Sequence, residues 1–203
     1  MLTANEALQR LKDGNQRFVA ELGGSGETSS QRRRDLATGQ EPFAIILGCS
    51  DSRVPAEIIF DQGLGDLFVI RVAGNIVAPS QVDSIEFSAA RHGNRLVVVL
   101  GHTQCGAILA TIDELSLPLA EQSNNLRSIV SRVRPSVEVL METGIANNPA
   151  ELVRRAVHNN IRMSVNQLRR GSAILENLVE NEGLRIVGAE YSLETGVVEF
   201  LDY

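Results

Sequence analysis

The sequence predicts an α/β fold with a mostly parallel central β-sheet flanked by helices. Short apolar runs alternate with helical patterns along most of the chain, which is typical of this class. Three runs, residues 43–48, 67–72 and 96–101, are continuously apolar, as in strands buried on both faces of a parallel sheet. A fourth run at 185–189 leads through a Glu-Thr-Gly turn to residues 197–201. This hairpin pattern predicts an antiparallel edge strand at the C-terminus.

Helical patterns lie between and after these strands. We expect helices at residues 55–60, 82–91, 107–115, 124–141, 149–167 and 172–182. Ser80 with Asp83 is a candidate cap for the second of them. Asn148 followed by Pro149 is a typical helix start, and Gly183 is a typical residue just past a helix end.

The N-terminus carries a further amphipathic pattern at residues 3–21. Thr3 with Glu6 three positions later forms a capping-box sequence at its start. Residues 23–30 are rich in Gly and Ser, which favours a flexible link. We therefore expect a single domain over residues 1–203, with residues 1–30 forming an N-terminal helical arm and its link.

Composition excludes several classes of partner. The 203-residue chain has 19 Lys and Arg against 25 Asp and Glu, a net charge of −6 that disfavours nucleic acid or an anionic membrane. No apolar stretch approaches the roughly 20 residues of a membrane span, so no membrane partner is expected. The first twenty residues lack the apolar core of a signal peptide, which favours a cytoplasmic protein. A leader removed before this numbering begins is left open.

The chain has only two cysteines, and both lie near strand ends. Cys49 opens the string Cys-Ser-Asp-Ser-Arg directly after the first strand, and Cys105 closes His-Thr-Gln-Cys after the third. The carboxyl ends of parallel strands meet at one edge of a sheet, where ligands gather. His102 and Cys105 are one helical turn apart and can converge. Three such donors and one open position describe a catalytic zinc site.

Each of these residues has a simpler interpretation on its own. A single Cys after a strand is more often a small core residue, and a single His there is more often hydrogen-bonded structure. The metal interpretation gains weight because both cysteines and one of three histidines occupy equivalent strand ends. His92, near a helix end, and His158, inside a helix, have no such neighbours.

Asp51 and Arg53 flank Ser52 and can face the same side of the chain. Arginine can hold a carboxylate in a bidentate pair and keep its pKa low. Such an aspartate can accept a hydrogen bond from a metal-bound hydroxide, or it can take the fourth position on the metal. The alternative is a structural salt bridge, which we would prefer without the two metal-type strings.

At these residues the chain resembles the β-class carbonic anhydrases. The C-x-D-x-R string at residues 49–53 and the H-x-x-C-G string at 102–106 are similar to the two zinc motifs of that family. The Phe-Val-Ile-Arg segment at 68–71 and the G-N-x-R-F string at 14–18 are similar as well, so the resemblance covers nearly the whole chain. It implies Zn²⁺ held by Cys49, His102 and Cys105, with Asp51 as a further possible ligand. It also implies reversible hydration of CO₂ to bicarbonate and a proton by a zinc-bound hydroxide that Asp51 and Arg53 orient.

The resemblance also implies substrate-binding positions. Gln40 matches a residue that hydrogen-bonds substrate in plant-like members, and Gly106 matches a backbone N–H donor near the same site. Phe68 and Phe87 match aromatic positions that line the CO₂ pocket, partly across a dimer interface. Phe87 stands where some relatives have Tyr. The resemblance therefore implies a homodimer or a dimer of dimers, with the N-terminal arm packed on its partner.

One position departs from part of the family, and two other functions stay open. Some bacterial members carry Trp three residues before the first zinc cysteine, in a non-catalytic bicarbonate site. Ile46 stands there in this chain, so we do not expect that pocket, although Arg71 matches its arginine. A few close relatives hydrolyse carbon disulfide or carbonyl sulfide with the same motifs. A non-catalytic zinc-binding regulatory protein would need four closed ligands, and here the fourth could only be Asp51.

Overall fold

The computed structural model describes residues 2–24, 26–118, 121–122 and 126–201. Its described strands form one five-stranded sheet in the order β2-β1-β3-β4-β5. The strands are β1 (Ala44–Gly48), β2 (Leu67–Arg71), β3 (Leu96–His102), β4 (Arg185–Tyr191) and β5 (Val198–Leu201). The pairs β1–β2, β1–β3 and β3–β4 are parallel, and β5 lies antiparallel to β4. The predicted fold class is confirmed.

The helices agree with the expected positions to within a few residues. They are α1 (Ala4–Val19), α2 (Ser30–Asp35), α3 (Ala56–Ile59), α4 (Pro79–Arg91), α5 (Gly106–Ser116), α6 (Arg127–Met141), α7 (Pro149–Arg170) and α8 (Ala173–Asn181). Short 3₁₀ turns occur at Leu36–Thr38, Ala73–Asn75 and Gly144–Asn147. Among the described residues, none of the helices combines the length and the apolar character that a bilayer crossing needs.

Side-chain caps begin α1, α2, α7 and α8, and the other four described helices start without one. Asn148 caps α7 by accepting from the Glu151 N–H, as its sequence indicates. The expected cap at Ser80 is wrong, because α4 already begins at Pro79, whose missing N–H costs nothing in a first turn. The helix α2 was not expected from the sequence. The expected start of α6 at residue 124 lies outside the described residues.

The core lies on both faces of the sheet. Helices α4 to α8 cover one face, where Ile45, Leu47 and Val99 point, and α1 and α3 cover the other, where Ile46 and Val98 point. Successive strand residues face opposite sides. Every residue of β1 and β3 is therefore buried, as their continuous apolar runs predict. Burial on both faces holds these two strands side by side and so fixes where their carboxyl ends lie.

The N-terminal helix belongs to this core. Its capping box is present, because the Thr3 hydroxyl accepts from the Glu6 N–H while the Glu6 carboxylate accepts from the Thr3 N–H. Leu11 is fully buried against the sheet. Gly14 lets the helix approach α3 closely, since a Cβ there would lie 1.9 Å from the Phe60 carbonyl oxygen. The helix is thus packed on the sheet and on α3 of its own chain.

The side chain of Asn15 ties α1 to two distant parts of the chain. Its Nδ2 donates to the carbonyls of Ile59 (3.2 Å) and Gly196 (2.9 Å). Its Oδ1 accepts from the Val198 N–H at 2.9 Å. Because Asn15 is buried, these bonds satisfy polar groups that water does not reach.

The Gly- and Ser-rich link is packed where the structure describes it. The Gly24 N–H donates to Asp61 Oδ1 at 2.8 Å, and the Leu64 N–H donates to the Glu27 carbonyl at 3.1 Å. A Cβ on Gly26 would lie 2.5 Å from the Gln62 carbonyl oxygen. Glycine at position 26 therefore permits a close approach of two backbone segments. The sequence pattern had indicated flexibility for this link.

Candidate active site

Three potential metal ligands converge at the carboxyl ends of β1 and β3. Cys49 follows the last residue of β1, His102 ends β3, and Cys105 caps the start of α5. Their ligand atoms all lie within 4.8 Å of one another. The three residues are buried, with exposures of 4%, 0% and 1%. The structure therefore brings together the donors that the sequence singled out.

A tight turn between β3 and α5 places His102 and Cys105 on the same side. Gln104 adopts a left-handed conformation with φ of 55°, which reverses the chain after the strand. The Thr103 N–H donates to the Tyr191 carbonyl, and the Thr103 hydroxyl accepts from the Leu193 N–H, each at 3.0 Å. The turn is thus held against the end of β4.

The imidazole of His102 is arranged as a metal ligand. Its Nδ1 lies 2.9 Å from the Thr103 carbonyl oxygen, which assigns the proton to Nδ1 because a carbonyl only accepts. Its Nε2 is buried and has no hydrogen-bond partner among the described residues. A histidine that binds a metal usually donates a hydrogen bond to a carbonyl from one ring nitrogen and keeps a free lone pair on the other. Beside two thiols, this unpaired nitrogen fits a metal ion, and the donor set suits zinc.

The two thiols differ in acidity. A hydrogen bond from Cys105 lowers the pKa of Cys49 below its usual range, although burial opposes this effect. The same hydrogen bond, together with burial, raises the pKa of Cys105 above its usual range. Burial lowers the pKa of His102, but the neighbouring Cys49 thiolate and the Thr103 carbonyl outweigh it and raise the pKa overall. Cys49 is therefore the thiol that loses its proton first, and a bound metal would replace the proton of the other thiol.

Asp51 and Arg53 form a bidentate ion pair beside the cluster. Arg53 Nε donates to Asp51 Oδ1 at 2.9 Å and Nη2 donates to Oδ2 at 2.7 Å, while the Arg53 backbone N–H also reaches Oδ1 at 3.0 Å. These hydrogen bonds hold the pKa of Asp51 well below its usual range. Asp51 Oδ2 lies 3.9 Å from His102 Nε2, so the carboxylate borders the cluster.

Arg71 braces the segment that carries Cys49 and Asp51. It ends the neighbouring strand β2, where it pairs with Gly48. Its Nε donates to the Cys49 carbonyl at 3.0 Å and its Nη2 donates to the Asp51 carbonyl at 2.6 Å. The sequence analysis did not identify this role. Ile46 is fully buried in the core, in agreement with its apolar character.

A second contact that the sequence analysis missed comes from the turn after β2. The Gly74 N–H donates to the Cys49 sulfur at 3.4 Å. The Gly-Asn pair at this point is a turn signal that could have been noticed. Its contact with Cys49 depends on the tertiary fold, and the pair by itself does not reveal it.

Comparison with known proteins identifies the family. A family model described as carbonic anhydrase matches residues 44–198. The chain belongs to the carbonic anhydrase family. It is 41% identical over 200 residues to carbonic anhydrase 2 of Mycobacterium tuberculosis. The aligned region covers 97% of this chain and 92% of that protein.

Solved structures identify the β-class fold. The β-carbonic anhydrase CcaA matches with a TM-score of 0.78 and 26% identity, over 96% of this chain and 95% of that one. One of two tetrameric β-carbonic anhydrases from the filamentous ascomycete Sordaria macrospora matches with a TM-score of 0.75 and 24% identity, over 84% and 86% of the two chains. At this lower identity the second match concerns the fold alone.

The remaining residues expected in this carbonic anhydrase site divide into two groups. Gly106 opens α5 next to Cys105, and an added Cβ would meet no atom within 4 Å among the described residues, its two chain neighbours and the adjacent helix backbone aside. Gln40 precedes β1, and Phe68 lies in the amino half of β2, opposite Ile45. Phe87 of α4 is 56% exposed, with its ring centroid 6.2 Å from that of Phe68. Gln40 and the two aromatic residues are thus not brought to the cluster within one chain.

His158 makes a separate ion pair on α7. Its Nε2 lies 2.8 Å from Glu190 Oε2, on the strand residue that pairs with Gly101. This hydrogen bond raises the pKa of His158, and burial only partly opposes it. The protonated imidazole is therefore stabilised in the folded protein.

This pair predicts a pH-dependent contribution to stability. A pKa that is raised on folding stabilises fully below the unfolded pKa, which is about 6.5 for histidine, and the stabilisation is lost as pH rises through the folded pKa. Glu190→Gln should therefore lower the free energy of unfolding most below about pH 6.5 and progressively less above it. Urea unfolding as a function of pH measures this, and NMR titration should show a lower pKa of His158 in the variant. Exposed Glu194→Gln is the control; an unchanged His158 titration in Glu190→Gln would contradict the assignment.

Proposed function

We propose that this carbonic anhydrase hydrates CO₂ reversibly to bicarbonate and a proton, with zinc as its metal. The observation that carries the proposal is the convergence of Cys49, His102 and Cys105 at the carboxyl ends of two parallel strands. The buried Nε2 of His102 has no hydrogen-bond partner among the described residues. It lies 3.9 Å from Oδ2 of Asp51, which Arg53 holds in an ion pair. Membership of the family supports the reaction.

The donor set supports zinc in an open site. Two thiolates and one neutral imidazole would leave one position of a tetrahedral ion for water or substrate. A zinc ion held there would supply Lewis acidity that lowers the pKa of water from about 15.7 towards 7. The cysteines are free and buried, which also supports the cytoplasmic location expected from the sequence.

Asp51 would orient the attacking hydroxide. Because Arg53 keeps its pKa low, Asp51 stays a carboxylate and can only accept a hydrogen bond. If Oδ2 accepts the O–H of the hydroxide, the oxygen lone pair is directed away from Asp51 and towards CO₂. The new C–O bond forms as one C=O electron pair moves onto oxygen, and the proton taken from water leaves to buffer. Arg53 is then a positioning residue that holds Asp51.

The amino end of α5 would receive the negative charge that develops on the substrate. The first N–H groups of a helix have no partner within the helix and carry a partial positive charge. Gly106 is the first residue of this 11-residue helix and is exposed beside Cys105. The absence of a side chain leaves its backbone open, which supports its role as a donor to bicarbonate.

A second copy of the chain would complete the site. Strand β2 is an edge of the sheet, and an edge strand presents unpaired backbone groups. Two copies that pair antiparallel through β2 would bring the amino half of one strand to the carboxyl end of the other. This arrangement would carry Gln40, Phe68 and Phe87 of the second copy towards Cys49. We therefore propose a homodimer, from which a dimer of dimers can be built.

The direct test is stopped-flow hydration of CO₂ by zinc-loaded protein, with the chelator-stripped protein as control. Hydration that requires the metal supports the proposed function, and its absence in the loaded protein contradicts it. Turnover of carbon disulfide and carbonyl sulfide under the same conditions tests the alternative hydrolase activity.

The metal assignment predicts the zinc content of variants. His102→Asn and Cys105→Ser should each lose most of the zinc, because a two-ligand site binds it weakly. The wild type should hold about one zinc per chain. Elemental analysis after dialysis measures the content, and His158→Asn, outside the cluster, should keep wild-type zinc. Stoichiometric zinc in Cys105→Ser would remove Cys105 from the site.

The ion pair predicts variants that keep metal and lose activity. Asp51→Ala should retain zinc through the three remaining ligands and lose kcat/KM by roughly 100-fold or more, because the hydroxide is no longer oriented. Arg53→Ala should retain zinc and be almost inactive, with Asp51 released to close onto the metal. Hydration rates and zinc content check both variants.

Ser52→Ala is the matched control for this pair, since Ser52 lies between the two residues and is exposed. It should keep wild-type activity. Near-normal activity in Asp51→Ala or Arg53→Ala would show that the pair is a structural salt bridge.

The proposed dimer predicts that activity and assembly are lost together. Phe87→Glu places a charge on an exposed aromatic residue next to the open edge, and should give monomers with greatly reduced hydration activity. Light scattering and activity on the same samples measure this. Val139→Glu, at a comparably exposed residue of α6 with 55% exposure, is the control. A stable, active wild-type monomer at micromolar concentration would contradict the dimer.

A further inference from the structure

We propose that Asn160 of α7 is a positioning residue for the metal site, which it serves by holding the turn whose Gly74 N–H donates to the Cys49 sulfur. The inference rests on the metal site proposed above and extends it to a helix behind that site.

A short series of hydrogen bonds connects α7 to the sulfur. Asn160 Nδ2 donates to the Gly74 carbonyl at 2.8 Å. One helical turn later, Ser164 Oγ donates to the Asn75 carbonyl at 3.2 Å. The Gly74 N–H in turn lies 3.4 Å from Cys49 Sγ. Two consecutive carbonyls of the turn are therefore fixed by one face of one helix.

The backbone of this turn is held from both sides. Gly74 has φ of 73° and Asn75 has φ of 43°, so both residues are left-handed, a conformation that Gly adopts freely and Asn more readily than most other residues. On the other side, the Val72 N–H is held by the Gly48 carbonyl at 3.1 Å. The turn is thus fixed to β1 before Gly74 and to α7 after it, and the direction of the Gly74 N–H is determined by both.

The surroundings of Asn160 indicate that its polarity serves this contact. Asn160 is 3% exposed and lies between the buried residues Val157 and Ile161 on the face of α7 that packs in the core. Its Oδ1 lies 3.5 Å from Ser136 Oγ, which is also 3.3 Å from the Met163 sulfur, so the 2.8 Å bond to the Gly74 carbonyl is the short hydrogen bond of this amide. An apolar residue of similar size could fill the same space but would leave the Gly74 carbonyl without its donor.

The consequence for the metal is electronic as well as geometric. An N–H donor to a thiolate stabilises the sulfur lone pairs and weakens their donation to a metal. Hydrogen bonds to ligand sulfurs are an established way to tune metal centres. Loss of the Asn160 contact would let the turn relax and would weaken or remove the bond to Cys49. The thiolate would then be a stronger donor in a less defined position.

The test uses cobalt(II)-substituted protein, in which the thiolate-to-metal charge-transfer band reports the donor strength of the sulfur. Asn160→Leu should shift this band to longer wavelength, because the sulfur is a stronger donor. It should also reduce the affinity for zinc by roughly tenfold to 100-fold, measured by competition with a chelator, because the loss of a fixed ligand position outweighs the stronger donation. Because an apolar residue at a buried polar position can impair folding, Ser164→Ala is a milder second variant. It removes only the bond to Asn75 and should shift the band in the same direction by less.

Asn159→Ala is the matched control, since Asn159 Nδ2 bonds the Ser136 carbonyl and does not contact the turn. It should keep the wild-type band and affinity. A wild-type band and affinity in Ser164→Ala, or in folded Asn160→Leu, would overturn the inference and leave the metal site intact. If the wild-type protein itself shows no thiolate–cobalt band, the metal site is wrong, and the inference falls with it.

Discussion

The pairing of β1 with β3 is the constraint on which the rest of the structure depends. Both strands are buried on both faces, so neither can slip in register without moving apolar side chains out of two separate cores. Gly48 pairs with Leu100 as a result. The first residue beyond one strand and the last residue of the other are then neighbours, and the thiol and the imidazole meet there. Hydrophobic packing of the two strands therefore determines where these two ligand side chains lie.

Hydrogen bonds from two arginines fix the positions of groups beside the ligands that β1 and β3 bring together. Arg71 holds two carbonyls of the segment after β1, while the Arg53 side chain and backbone hold the Asp51 carboxylate. Each arginine uses several N–H groups on acceptors of fixed geometry, a task for which a lysine is poorly suited. These contacts restrict the rotation of groups that would otherwise move independently at the open end of the sheet.

Local patterns predicted the fold and the convergence of three donors, because continuous apolar runs and strand-end positions are both local signals. The contacts of Arg71, Gly74 and Asn160 were not predictable in this way. Asn160 lies 86 positions after Gly74 in the chain, and only the packing of α7 on the sheet makes them neighbours. The close approach of Gly26 to Gln62 was not predictable for the same reason, since close approach and flexibility favour the same residue. Ser80 failed as a cap because Pro79 is itself suited to a first turn.

The buried Asn15 has a consequence for how the chain reaches its native state. Two of its partners, Gly196 and Val198, follow it by 181 and 183 positions. During synthesis, α1 can pack on α3 early, but the polar contacts of Asn15 stay incomplete until residues 196–198 emerge. The hairpin of β4 and β5 therefore holds the first helix in place through the side chain of Asn15. A chain that ends before residue 196 would retain the three candidate metal ligands, but its first helix would lack the hydrogen bonds from Asn15 to the hairpin.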